Sequence, residues 1–201
     1  MGLSRRADVT VGEYLAMENA SPERHEYFEG VVYAMSGGSP RHNLLVGNLH
    51  RMLGTGLRGR PCVMLPEGQR IFIPATGLYT YSDALVVCDG PRFHSEDPRS
   101  LTNPRVICEV LSPSTEGYDR GEKFQSYQSI ESLQEYVLVE QHRRRVEHFL
   151  RRANDQWLLT SYEGEAAVVS LPTVDVSLSV AELYEQMESF PADAATRGVG
   201  R

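Results

Sequence analysis

The sequence predicts a mixed α/β domain: a central sheet flanked by helices, opened by an N-terminal hairpin and closed by antiparallel strands. Three observations predict it. Short β-prone runs recur along the chain, apolar residues take helical spacing in the flanking segments, and VICEVL at 106–111 is too continuously hydrophobic to have a wet face. At 201 residues the chain fits one domain, 1–201, with a core at about 9–188 and flexible ends at 1–8 and 191–201.

The elements follow in order. Thr10-Val11-Gly12-Glu13 has the capping-box pattern, so a helix covers about Val11 to Asn19, and Ser21-Pro22 ends it. RHEYFEGVVYAM reads as a hairpin turning at Glu29-Gly30. Ser39 caps the next helix with Pro40 in its first position, and Leu44, Leu45, Leu49, Met52 and Leu53 give that helix an apolar face. PCVML, QRIFIP and ALVVC read as strands, and GPRFHSEDPRSLTNP as a loop. VICEVL is a central strand, a helix covers about Tyr118 to Ile130, and QEYVLVEQ is another buried strand. RRRVEHFLRR and DQWLLTSYEG form an antiparallel pair turning at Asn154-Asp155, AAVVSLP adds a short strand, and VAELYEQM closes the chain as a helix.

Composition excludes several classes of function. No run is long and apolar enough to span a membrane, and MGLSRRADVT lacks the apolar stretch of a signal peptide, so the expected location is the cytoplasm, with no membrane partner. Cys62, Cys88 and Cys108 lack zinc-knuckle spacing and read as small buried thiols in a reducing compartment. A net charge of −7 argues against coating nucleic acid indiscriminately but allows a local basic groove. Of the 20 basic residues, 19 are arginine and one, Lys123, is lysine. A lysine can stand as a compact ammonium beside a reacting phosphate, although a bias toward arginine explains its rarity equally well.

The chemistry concentrates between Tyr81 and Lys123. Asp83 opens one apolar strand and Glu109 sits inside another, where a buried carboxylate is costly unless a cation or hydrogen-bond donors compensate it. Two acids near one ammonium suit Mg²⁺ or Mn²⁺, which take oxygen ligands and keep positions for water and substrate phosphate. Lys123 would orient the attacking water or offset charge on the transition state, which is phosphodiester hydrolysis. The alternative is structural: Asp83 caps a turn, Glu109 pairs with an arginine, and Lys123 is a solvated helix residue.

Ser82-Asp83 before ALVVC, Glu109-Val110-Leu111 followed by Ser112-Pro113-Ser114, and Gly121-Glu122-Lys123 with Tyr127 a turn later resemble the Uma-type restriction endonuclease family of the PD-(D/E)XK superfamily. His25-Glu26-Tyr27-Phe28-Glu29-Gly30 and the helix from His42 to Leu53 match it too, so the resemblance runs from about Val9 to Met187. It implies a restriction-endonuclease-like core, divalent-metal dependence and cleavage of nucleic acid. It makes Asp83 the superfamily aspartate, Glu109 the second acid and Glu26 an additional ligand or water-orienting base, with hairpin pairing to an arginine as the alternative for Glu26. There are two departures. Ser82 replaces the proline before the aspartate, and Leu111 stands where the superfamily lysine belongs, which points to Lys123 on the following helix.

His42, near a helix start, is a candidate phosphate contact with capping as the alternative, and Tyr127 shares a helix face with Lys123, with packing alone as the alternative. Arg143 and Arg145, in a run with Arg144 and followed by Arg151 and Arg152, are candidate phosphate contacts, with a solvated turn edge as the alternative. The expected function is therefore a Mg²⁺- or Mn²⁺-dependent endonuclease acting on nucleic acid, DNA before RNA. The resemblance suggests a homodimer. The rival readings are a nuclease-like module that binds or assembles without catalysis, and a phosphatase acting on small molecules.

Overall fold

The structure is a computed structural model that describes residues 5–35 and 37–190; residues 1–4 and the tail from Pro191, expected to be flexible, lie outside them. The first elements are β1 (Arg5–Arg6), α1 (Val11–Ala20), β2 (His25–Phe28), β3 (Val31–Ala34) and α2 (Pro40–Gly56). Thr10 and Glu13 close the capping box that starts α1. Glu29 and Gly30 both take positive φ, 47° and 80°, which a tight two-residue hairpin turn requires. Of the stretch 1–8, expected to be flexible, Arg5 and Arg6 instead pair with Tyr33 and Val32 on β3. Ser39 caps α2 by accepting a hydrogen bond from His42 N, and Pro40 follows it.

Next come β4 (Cys62–Pro66), β5 (Arg70–Ile73), β6 (Leu78–Tyr81), β7 (Ala84–Cys88), β8 (Phe93–His94), β9 (Asp97–Leu101) and β10 (Val106–Leu111). The last part holds α3 (Glu116–Arg120), α4 (Glu122–Gln128), β11 (Glu135–Glu140), β12 (Arg145–Arg151), β13 (Trp157–Glu163), β14 (Val168–Leu171), β15 (Val176–Ser179) and α5 (Val180–Leu183).

The fold is mixed α/β, but the strands divide between two large sheets rather than gathering in one. A six-stranded sheet runs β13-β12-β11-β10-β7-β4, and a seven-stranded sheet runs β1-β3-β2-β6-β5-β9-β8. VICEVL is central: β10 is parallel to β11 and antiparallel to β7. The chain crosses between sheets at Ser82-Asp83, immediately after β6 and before β7.

Strand alternation decides what faces each side of the six-stranded sheet. Ala84, Val86, Val106, Cys108 and Val110 pack with Leu45, Leu49 and Leu53 of α2 and with the β14–β15 hairpin. Leu85, Val87, Ile107 and Leu111 pack against Ile71, Leu101, Phe124 and Tyr127. Asp83 and Glu109 share the parity of this second set, which directs Glu109 toward α4 and the other sheet.

Three expectations are corrected. The segment 90–104 is not all loop, because β8 and β9 lie within it. Its strand is hidden by polar residues: Asp97 and Ser100 are buried, and both bond to Arg70 of β5, with Arg70 Nη2 2.7 Å from Asp97 Oδ2 and Arg70 Nε 2.9 Å from Ser100 Oγ. The helix expected over 118–130 is two short ones broken at Gly121 (φ −109°, ψ −107°), where a Cβ would lie 2.9 Å from the Gly117 carbonyl. Finally, Cys62 and Cys88 are not separate thiols. They face each other across the β4–β7 pair with Cα atoms 4.1 Å apart and form a disulfide, leaving Cys108 as the buried free thiol. Sequence spacing carries no sign of that pairing, because strand register creates it.

Candidate active site

The strand alternation that buries Ile107 and Leu111 also buries Glu109, which is 4% exposed. Its carboxylate is met by three donors from two segments. Lys123 Nζ lies 3.0 Å from Glu109 Oε1, Tyr127 OH donates to the same oxygen at 3.1 Å, and Asp83 N donates to Oε2 at 3.3 Å. Lys123 and Tyr127 are one turn apart on α4, so one helix face supplies both side-chain donors.

Asp83 is held from two sides. Val110 N donates to its Oδ2 at 2.7 Å, so β10 fixes both acids at once. On the other side α2 reaches in twice: His42 Nε2 lies 3.3 Å from Asp83 Oδ2, and His50 Nε2 donates to the Asp83 carbonyl at 2.7 Å. The second carboxylate oxygen of Asp83, Oδ1, takes none of these bonds.

Glu26 arrives from β2 in the other sheet. It accepts a hydrogen bond from Thr80 Oγ1 and lies 3.5 Å from Lys123 Nζ. Asp119, four residues before Lys123 and across the Gly121 break, lies 3.5 Å from the same ammonium and is 4% exposed. The structure therefore gathers Glu26, His42, Asp83, Glu109 and Lys123 at one place. Asp119, His50 and Thr80 were missed. Asp119 had a readable signal, since its i, i+4 spacing from Lys123 puts both on one face.

Four carboxylates against one lysine and one histidine leave the site short of positive charge. Burial, reinforced by Asp119 and Asp83, holds the Glu109 carboxyl well above the usual carboxylate range despite Lys123. Asp119 is raised for the same first reason. Burial acts to lower Lys123, but Glu109, Tyr127, Glu26 and Asp119 outweigh it and keep the ammonium charged. Burial likewise acts to lower His42, and contact with Asp83 more than offsets it, so its imidazole titrates above the ordinary value of 6.5.

The donor set suits a hard divalent cation, for which carboxylate oxygens are natural ligands. Among the described residues no three His, Cys, Asp or Glu side chains are already gathered for metal binding. An ion of the Mg²⁺ type keeps most of its water and takes one or two carboxylates plus substrate phosphate. Asp83 and Glu109 are tied together by two bonds from backbone N–H to carboxylate, Asp83 N to Glu109 Oε2 and Val110 N to Asp83 Oδ2.

The arginine run does not join the site as free cations. Arg143 pairs with Glu140, and Arg145 pairs with Glu147 at 2.7 Å and Glu163 at 3.3 Å. Arg144 pairs with Glu165 at 2.6 Å and with Glu188. The interleaved glutamates neutralise the run.

A family model described as "Uma2: Putative restriction endonuclease" matches residues 11–181. The chain belongs to the Uma2 family. Asp83, Glu109 and Lys123 all fall inside the matched stretch. Two relatives from Synechocystis sp. are similar along most of their length. The uncharacterized protein sll1609 is 37% identical over 80% of this chain and 91% of its own, and the uncharacterized protein slr1290 is 36% identical over 86% and 89%. A crystal structure of "a putative nuclease belonging to DUF820" from Anabaena variabilis superposes with a TM-score of 0.73, covering 89% of this chain and 99% of that one. At 16% identity that likeness shows the fold. It agrees with the restriction-endonuclease-like architecture expected of a Uma2 chain.

Proposed function

We propose that this protein is a divalent-metal-dependent endonuclease that hydrolyses phosphodiester bonds of nucleic acid, DNA before RNA. The observation that carries the reading is the convergence of Glu109, Glu26 and Asp119 within 3.5 Å of the Lys123 ammonium, with Asp83 bonded to the same strand as Glu109. Asp83 and Glu109, with Glu26, would hold Mg²⁺ or Mn²⁺. Such an ion, when bound, supplies Lewis-acid charge at the scissile phosphate and acidifies its water.

The chain's own residues do the rest. Lys123 brings a compact ammonium from α4, the role that Leu111 cannot fill from β10. Tyr127 and Asp83 N hold the Glu109 carboxyl at fixed rotation against Lys123. Glu26, steadied by Thr80, is placed to orient a water or take its proton through the charge it shares with Lys123. His42, in the first turn of α2, stands as a phosphate contact whose positive form is favoured by Asp83. Arg143 and Arg145 would take backbone phosphates by exchanging their glutamate partners for them. Residues 9–188 act as one nuclease-like domain, paired as a homodimer, in the cytoplasm where the substrate is. No described helix is long and apolar enough to cross a membrane.

The test is cleavage of supercoiled plasmid with Mg²⁺ or Mn²⁺ by the full chain and by Asp83→Ala. The reading expects nicked and linear product from the former alone. Retained binding with no metal-dependent cleavage supports the non-catalytic module instead, and activity confined to nucleotide monoesters supports a phosphatase.

A further inference from the structure

We propose that His50 is a positioning residue for Asp83: from α2 its Nε2–H pins the peptide at the crossing between the two sheets and so fixes where the Asp83 carboxylate points. That role rests on the reading of Asp83 as an acid that holds a divalent ion, and goes beyond it by naming what keeps the acid in place.

Residue 83 belongs to no strand. The β4–β7 ladder ends at Pro66 opposite Ala84, and the β7–β10 ladder ends at Cys108 opposite the same alanine. Strand register therefore stops one residue short of the carboxylate, and individual hydrogen bonds hold it instead. The Asp83 N–H donates to Glu109 Oε2 at 3.3 Å, and its Oδ2 accepts from Val110 N at 2.7 Å with His42 Nε2 3.3 Å away. Those bonds meet the amide and the carboxylate. The bond from His50 Nε2, at 2.7 Å, meets the carbonyl. That carbonyl lies in the planar peptide joining Asp83 to the start of β7, so its tilt sets the direction of the Asp83 Cα–Cβ bond relative to the sheet.

α2 is a firm base for the imidazole. Leu49 and Leu53, on either side of His50 in sequence, are fully buried in the core that α2 shares with the six-stranded sheet, which holds the helix against turning or sliding. A carbonyl only accepts, so the contact requires hydrogen on Nε2, and the neutral ring is the Nε2–H tautomer. Glu67 Oε2 lies 3.7 Å from the same nitrogen, outside hydrogen-bond range, on a side chain that is 46% exposed. The Asp83 peptide, not Glu67, is what the ring serves.

A bond that merely satisfied a carbonyl would contribute to stability alone. One that aims an acid also sets metal affinity, because groups that orient a metal's ligands typically change its binding by about 10–100-fold when removed.

The test reads Mn²⁺ binding by titration calorimetry and steady-state plasmid cleavage in the full chain, in His50→Leu, which keeps bulk and loses the donor, and in His50→Gln, whose amide nitrogen can stand near the position of Nε2. His50→Leu should bind Mn²⁺ about 10–100-fold more weakly and lower kcat at unchanged plasmid KM, with its circular dichroism spectrum intact. His50→Gln should recover most of both losses. Equal impairment of the two variants, or full Mn²⁺ affinity in His50→Leu, overturns the proposal and leaves the metal reading standing. A full chain that binds no Mn²⁺, or binds it equally after Asp83→Ala, overturns both. Nitrogen NMR of the His50 imidazole in the unmodified protein needs no variant to fold: hydrogen on Nε2 is expected, and a neutral ring with hydrogen on Nδ1 overturns the proposal.

Discussion

Lys123 Nζ on α4 lies 3.0 Å from Glu109 Oε1 on β10, so a helix supplies the ammonium that strand position 111 lacks. The pair is almost fully buried, at 6% and 5% side-chain exposure, and Glu26 and Asp119 share the same ammonium at 3.5 Å. Lys123→Met removes the counter-charge for all three acids. The expected cost at pH 8 is about 3–5 kcal/mol in urea unfolding, the range found when one partner of a buried pair is removed. A loss below about 1 kcal/mol would mean the acids are compensated elsewhere.

Divalent ions should stabilise the protein more at alkaline than at acid pH. Burial raises Glu109 and Asp119 above the usual carboxylate range, so the folded protein holds protons that the unfolded chain has released. Stability from these two groups therefore falls as pH rises from the ordinary carboxylate value through their folded pKa. A cation replaces those protons, so the rise in Tm on adding Mg²⁺ or Mn²⁺ should be larger at pH 8 than at pH 5. An equal rise at both values contradicts the assignment.

The contribution of the His42–Asp83 contact should also be lost as pH rises. His42 is raised above 6.5, so its contribution is fully present below that pH and is lost as pH rises through the folded value. His42→Asn should cost about 1–2 kcal/mol at pH 6 and clearly less at pH 9, as read from paired denaturation curves.

Reduction of Cys62–Cys88 should lower stability without unfolding the chain. With a sequence separation of 26, chain entropy gives about 3.5 kcal/mol for the bridge. Thiol titration in denaturant should find one thiol before reduction, Cys108, and three after. Three thiols in protein purified without reductant would show the pair open, as a reducing cytoplasm favours.

Where local physics sets structure, the sequence was readable: the Thr10 box, the Glu29-Gly30 turn and the hydrophobic run of β10 all form as their residues dictate. Asp83, Glu109 and Lys123 could be singled out because charge inside or beside apolar runs is conspicuous. What escaped depends on partners distant in sequence. β9 is polar because Asp97 and Ser100 answer Arg70, and the Cys62–Cys88 bridge exists because a register brings them level. The glutamate partners of the arginine run, Glu140, Glu147, Glu163, Glu165 and Glu188, likewise reach it only in the fold. Asp119 alone was within reach, one helical turn from a lysine already marked.

The most direct measurement is the plasmid-cleavage rate of Lys123→Met in saturating Mn²⁺, which also offsets the charge that the substitution unbalances. If the ammonium on α4 stabilises the transition state, the rate should fall by about 10²–10³ while Mn²⁺ still binds, by calorimetry, to Asp83 and Glu109. A rate within twofold of the unmodified protein would contradict the account.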